Sequence, residues 1–153
     1  MLQEGQPAPD FTAPTDGGGE VKLSDLRGKK VVLYFYPKDD TPGCTKEACG
    51  FRDMLPDFTK VDAEVIGVSR DSAAAHDKFK AKFDLPFRLA SDEAGTITEG
   101  YGTWVEKSMY GKKYMGVERA TFLIDGDGIV RRVWRKVKVP GHVDEVVAAA
   151  QAL

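Results

Sequence analysis

Tyr34-Phe35-Tyr36-Pro37-Lys38-Asp39-Asp40-Thr41-Pro42-Gly43-Cys44-Thr45-Lys46-Glu47-Ala48-Cys49-Gly50 is the stretch on which the reading of this chain turns. It opens inside the apolar run Val31 to Tyr36, whose unbroken hydrophobicity predicts a buried strand. Pro37 has no N–H to give to a sheet and ends that strand. Thr41 and Pro42 then form a helix-start pair, with Thr41 as N-cap and Pro42 at the first helical position. Cys44 therefore falls in the first helical turn, where unpaired N–H groups and the helix dipole favour an anion. A thiol there is biased toward thiolate, the nucleophilic form. The only other cysteine, Cys49, follows five residues later in the same predicted helix.

The flanking sequence predicts an α/β domain spanning residues 1–153. Phe11-Thr12-Ala13 and Val21-Lys22-Leu23 flank the turn residues Asp16-Gly17-Gly18-Gly19, predicting an N-terminal β-hairpin. The glycine run lacks the Lys-Ser/Thr and preceding strand of a phosphate loop. Ser24 is placed to cap a short turn, Asp25-Leu26-Arg27. The cysteine helix should end near Leu55, because Pro56 kinks or stops it. Ala63 to Ser69 predicts a second strand, and Ser72 a cap for a helix with the face Ala75, Phe79 and Phe83. Phe87 to Ala90 reads as a short strand and Glu93 to Tyr101 as a modest helix. Trp104 to Gly116 reads as a long irregular segment, a kind often functional in compact domains. Arg119 to Ile124 and Ile129 to Val137 form a hairpin around Asp125-Gly126-Asp127-Gly128, which lacks the further ligands of a calcium loop. Val143, Val146, Val147 and Ala150 mark one face of a closing helix. Strands and helices alternate, then a hairpin and a helix follow, as around one mixed sheet.

Composition narrows the function. Twenty-two basic and 24 acidic residues give a net charge of −2, without the basic surplus of a nucleic-acid binder. No apolar run is long enough to span a membrane. Met1-Leu2-Gln3-Glu4-Gly5 lacks the basic and apolar regions of a secretory signal, so the expectation is a cytoplasmic protein. In that compartment two close cysteines point to catalysis or metal binding rather than a structural staple.

Three readings of the pair compete. Cys44 and Cys49 are small buried hydrophobes, metal ligands, or a peroxidatic and a resolving thiol. A structural zinc needs four ligands, and His76 and His142 lack the usual paired spacing, so both histidines are expected to be ordinary surface or partly buried residues and no metal is expected. For the thiol pair, helix geometry sets a condition. Residues five apart on a helix have Cα atoms roughly 8.5 Å apart, and a disulfide tolerates about 7 Å. The two sulfurs can bond only if the helix unwinds between them, which Thr45 and Gly50 make easier. No His or Asp close in sequence offers a general base. A guanidinium such as Arg119, at the start of a predicted central strand, is a candidate partner for the Cys44 thiolate, with a surface ion pair as the alternative.

Pro37-Lys38-Asp39-Asp40-Thr41-Pro42-Gly43-Cys44 resembles the Pro-x-x-x-Thr-x-x-Cys motif of peroxiredoxins. Thr41 to Cys49 with Phe51-Arg52-Asp53, Met109-Tyr110-Gly111-Lys112 and Arg119 to Asp125 are similar to the bacterioferritin-comigratory, or peroxiredoxin Q, branch. The resemblance runs from Gly5-Gln6-Pro7-Ala8-Pro9-Asp10-Phe11 to the last helix, and members of the branch without a cysteine at the Cys49 position exist. It implies a thioredoxin-like fold and a thiol peroxidase without cofactor, acting on hydrogen peroxide and organic hydroperoxides. Cys44 would attack the peroxide and become a sulfenic acid. Thr41 would hydrogen-bond peroxide and thiolate, Arg119 would stabilise the thiolate and the charge of the transition state, and Pro37 would shield the sulfur. The N–H groups of Gly43 and Cys44 would hold the substrate oxygen. Cys49 would close an intramolecular disulfide, reduced by thioredoxin or alternatively glutaredoxin, in a monomer. Glu47 would orient Arg119, while Tyr36 and the aromatics of Trp104 to Tyr114 would wall the pocket or pack the core. A protein thiol–disulfide oxidoreductase and a thiol redox sensor are the alternatives.

Overall fold

The computed structural model describes residues 2–153; Met1, the first residue of the N-terminal pentapeptide, lies outside the described residues. β1 (Thr12–Pro14) pairs antiparallel with β2 (Glu20–Lys22), so the expected hairpin forms around the turn Asp16–Gly18. Ser24 does not cap the turn that follows. That turn spans Leu23–Leu26 with Lys22 at its cap position, and the Ser24 N–H donates to Asp10.

The chain continues through β3 (Lys30–Phe35), α1 (Pro42–Lys60), β4 (Ala63–Ser69), α2 (Ala73–Phe83), β5 (Arg88–Ser91) and α3 (Thr96–Gly100). β6 (Trp104–Met109), β7 (Lys112–Val117), β8 (Ala120–Ile124), β9 (Val130–Trp134) and α4 (His142–Ala152) follow. Five strands form the central sheet in the order β5-β4-β3-β8-β9, with β3, β4 and β5 parallel and β8 antiparallel to both its neighbours. This is the mixed α/β architecture expected of a thioredoxin-like fold.

β3 is central, and alternate side chains feed two cores. Val32, Tyr34 and Tyr36 pack with Phe51 and Phe58 of α1, Phe79 of α2 and Val146 of α4. Val31, Leu33 and Phe35 pack on the other face with Ile66, Tyr101, Phe122 and Val21. A strand covered on both faces reads as continuous hydrophobicity rather than alternation, which is why Val31 to Tyr36 looks as it does. Gly67, opposite Tyr34 in the β3–β4 register, leaves room for the Tyr34 ring: a Cβ there would sit 2.9 Å from its hydroxyl oxygen.

The structure departs from expectation elsewhere as well. α1 passes through Pro56 to Lys60, because fully buried Phe58 anchors the last turn in the core. The missing N–H costs one bond to the Arg52 carbonyl, and packing outweighs it. The helix expected over Glu93 to Tyr101 is only Thr96–Gly100, and the return strand is Val130–Trp134. Trp104 to Gly116 is not irregular: β6 and β7 pair from Trp104↔Val117 to Met109↔Lys112. Tyr110 and Gly111 join them with φ of 51° and 76°, the paired positive values of a tight hairpin turn. Tyrosine is an uncommon residue there, and strands exposed on both faces show no clean alternation, so the sequence pattern carries no signal for this hairpin. Finally, His76 and His142 are buried core groups rather than surface or partly buried ones.

Candidate active site

Topology brings the site together at one end of β3. That strand runs out at Phe35 opposite Ala120, so Arg119, just before β8, faces the point where the chain leaves the sheet for α1. Thr41 occupies the N-cap position of α1 and its carbonyl accepts the first helical bond, from Thr45 N–H, at 2.8 Å. Its hydroxyl does not cap the helix; it donates to the Lys38 carbonyl at 2.9 Å. Pro42 has no N–H, so the N–H groups of Gly43 and Cys44 are the free donors of this first turn. Cys44 is 2% exposed and Cys49 partly exposed, and both are free thiols.

Arg119 bridges two side chains of α1, Cys44 and Glu47. Its Nη2 donates to Cys44 Sγ at 3.3 Å and its Nη1 to Glu47 Oε1 at 2.8 Å. Positions 44 and 47 are neighbours on one helix face, which lets a single guanidinium serve both. A Cβ on Gly43 would lie 3.2 Å from Arg119 Nη2, so the close approach of the guanidinium depends on a bare backbone. Glu47 has no exposed surface; burial pushes its carboxyl up to about 7, against the pull of Arg119, and its Oε2 has no hydrogen-bond partner. Burial works against the charge of Arg119, but Glu47 and Cys44 outweigh it and hold the guanidinium above its ordinary range. The geometry sets a cation and free N–H donors where negative charge developing beside the sulfur can be neutralised.

The remaining predicted residues divide. Pro37 is exposed, whereas Tyr36 is 1% exposed and packs in the same core as Cys44, stacked on Tyr34 at 5.4 Å. Trp104 is covered by the Arg70 guanidinium, 3.4 Å from its ring centre. Cys49 sits further along the unbroken helix. His142 is a core group whose Nε2 lies 2.8 Å from Thr121 Oγ1, and burial holds it down to about 4. Among the described residues no group of three or more His, Cys, Asp or Glu side chains is arranged to hold a metal.

Three groups escaped the sequence. The Tyr34 hydroxyl is buried without a partner, and burial, then Glu47 and Cys44, push its ionisation well up. Lys107 of β6 is half-buried, lies close over Gly116, and is held down by burial and by Arg119. His76 reaches Asp39 of the motif loop at 2.6 Å. No sequence signal marks these, since each depends on strand register or on a partner more than thirty residues away.

The chain matches the family model described as AhpC/TSA family over residues 4–133. It is 59% identical over 146 residues to a putative peroxiredoxin bcp of Coxiella burnetii, covering 95% of this chain and 97% of that one. It is 53% identical to the peroxiredoxin Bcp of Bacillus subtilis, covering 95% and 93% respectively. It is also similar to a solved structure of the Xanthomonas campestris bacterioferritin comigratory protein, studied in trapped intermediate and ligand complexes for its alkyl peroxide reduction activity. That similarity has a TM-score of 0.89 at 45% identity and covers 93% of this chain and 90% of that one.

Proposed function

This chain belongs to the AhpC/TSA family and is a peroxiredoxin, a thiol peroxidase; we propose that Cys44 is its peroxidatic sulfur and Cys49 its resolving one. The observation that carries the reading is the 3.3 Å contact between Arg119 Nη2 and Cys44 Sγ at the start of α1. The Cys44 thiolate attacks the nearer oxygen of a hydroperoxide in line with the O–O bond. The S–O bond forms, the O–O bond breaks, and the leaving oxygen takes a proton and departs as water or an alcohol. Charge moves from sulfur to oxygen during this step, and Arg119 with the Gly43 and Cys44 N–H groups neutralises it along the way. Because Thr41 spends its proton on the Lys38 carbonyl, its oxygen is left as an acceptor, suited to orient the peroxide O–H. Pro37 limits access to the sulfur from the solvent side, and Tyr36 shapes the floor through packing.

Resolution requires α1 to open. Cys44, Glu47 and Ala48 are buried and must leave the core together. Phe51 holds the next turn: it stacks on Tyr34 at 4.6 Å and packs against Phe58 at 5.9 Å. Unwinding therefore stops short of Phe51. The Cys49 thiolate then attacks the Cys44 sulfenic acid, the S–S bond forms and hydroxide, protonated to water, leaves. A thioredoxin dithiol returns the two electrons to a protein that works as a monomer in the cytoplasm, on organic hydroperoxides as well as hydrogen peroxide. Peroxide consumption coupled to thioredoxin and its reductase tests this. Wild type should turn over and Cys44→Ser should not. Turnover surviving in Cys44→Ser, or peroxide left untouched by wild type, would refute it.

A further inference from the structure

Asp39 lies in the loop between β3 and α1, and it is held from three directions. Tyr36 Oη donates to its Oδ1 at 2.6 Å, and His76 Nδ1 lies 2.6 Å from its Oδ2. Its own N–H donates to Asp71 Oδ2 at 2.9 Å, and Asp71 is fixed in turn by Ser69 Oγ at 2.6 Å. His76 has no exposed surface, and the Asp39 side chain is only 6% exposed. The other ring nitrogen of His76, Nε2, lies 3.0 Å from the Ala90 carbonyl of β5. The Ala90 carbonyl only accepts, so Nε2 donates to it, and a ring that also carries a proton on Nδ1 donates to the Asp39 carboxylate as well. In that form a single buried side chain ties α2 and the edge of the sheet to the loop that delivers Cys44.

We infer that His76 is a positioning residue that clamps Asp39, fixing the near end of the segment that must unwind before Cys44 can meet Cys49. The inference rests on the reading of Cys49 as the resolving thiol. With Asp39 clamped and Phe51 packed, the mobile piece is confined to the residues between them. A neutral ring can satisfy only one of its two acceptors as a donor, so loss of the proton releases either the loop or the sheet edge.

The surroundings of His76 agree. Burial alone would discharge the ring, but Asp39, the Ala90 carbonyl and Asp71 outweigh it and hold the group above its ordinary value. Tyr36, 6.5 Å away ring to ring, is neutral. Of the other charged groups of α2, Lys78 is exposed and the remaining three are engaged elsewhere. Asp77 accepts from Gly17 N–H, Lys80 pairs with Asp16, and Lys82 pairs with Asp40. Because the folded value is raised, the clamp is complete below the unfolded value and is lost as pH rises through the folded one. Closure of the Cys44–Cys49 bond should therefore ease with rising pH beyond what ionisation of the attacking thiol explains.

Two measurements decide it. In nitrogen-15 NMR of the reduced, histidine-labelled wild type at pH 7, His76 should show protons on both ring nitrogens while His142 stays neutral; a singly protonated His76 would overturn the inference. In rapid-quench alkylation after one equivalent of peroxide, bond closure in His76→Gln should be about tenfold faster than wild type at pH 6, equivalent to about 1.4 kcal/mol. The ratio should fall toward one at pH 9, a trend in which ionisation of the attacking thiol cancels. A ratio near one throughout would overturn the clamp. Should His76→Gln not fold, the NMR spectrum of the wild type decides alone. Absence of any bridge in wild type at every pH would fail the resolving reading instead, and the protonation of His76 would still be settled by NMR.

Discussion

Replacing Arg119 with methionine removes the guanidinium while keeping most of the stem's volume. At the 3.3 Å Arg119–Cys44 contact, a unit charge pair is worth about 5 kcal/mol at an effective dielectric of about 20. The free N–H groups of the first turn and incoming water recover part of that, leaving about 3 kcal/mol, in the upper range for a hydrogen bond to a charged group. The second-order rate of Cys44 with hydrogen peroxide at pH 7 should therefore fall on the order of a hundredfold. Competition against a peroxidase of known rate, on freshly reduced protein, reads this directly. Glu47 loses its only donor in this variant, so burial drives its carboxyl further up and the group takes a proton instead of remaining an isolated charge. Measuring the double variant Arg119→Met/Glu47→Gln removes that complication. Arg119→Lys should fall between, since one ammonium cannot span Sγ and Oε1 as a fork does. A loss below threefold in folded Arg119→Met would refute the idea that this contact prepares the sulfur.

Glu47 makes stability depend on pH in an unusual direction. Its folded value, about 7, lies above the ordinary 4.5, so the folded state binds the proton more tightly and stability falls as pH rises from 4.5 through 7. The size is roughly 3 kcal/mol; urea titrations of reduced protein should show Glu47→Gln losing that slope, and an unchanged slope would count against the burial argument. Gly43→Ala places a methyl 3.2 Å from Arg119 Nη2, and the displaced guanidinium should cost about tenfold in peroxide reactivity with little change in melting temperature. Unaltered reactivity would mean the approach of Arg119 is not tight. Cys49→Ser should consume one equivalent of peroxide, then stall as the sulfenic acid or over-oxidise. Sustained turnover with thioredoxin would deny Cys49 its role.

Local chemistry in this chain was legible and long-range register was not. Val31 to Tyr36 announced the central strand because burial on both faces leaves no polar position. Thr41-Pro42 marked the start of α1, and with it the setting of Cys44, although the Thr41 hydroxyl turned to Lys38. Arg119 could only be guessed at, because its place follows from the antiparallel alignment of β8 on β3. Pro56 misled for a related reason: its local cost is readable, but the burial of Phe58 that offsets it is not. The β6–β7 hairpin hid because neither face of most of it is buried, so its residues carry no periodic signature. His76 looked like an incidental helical residue until the fold set it against Asp39.

Peptide mapping after a single equivalent of peroxide bears most directly on the sulfur chemistry. Lys38, Lys46 and Arg52 put Cys44 and Cys49 in adjacent tryptic peptides, Asp39 to Lys46 and Glu47 to Arg52. We expect those two peptides to be joined by a disulfide, in a chain whose intact mass has lost two hydrogens and gained no partner. An unmodified Cys44, or bonds found only between separate chains, would contradict it.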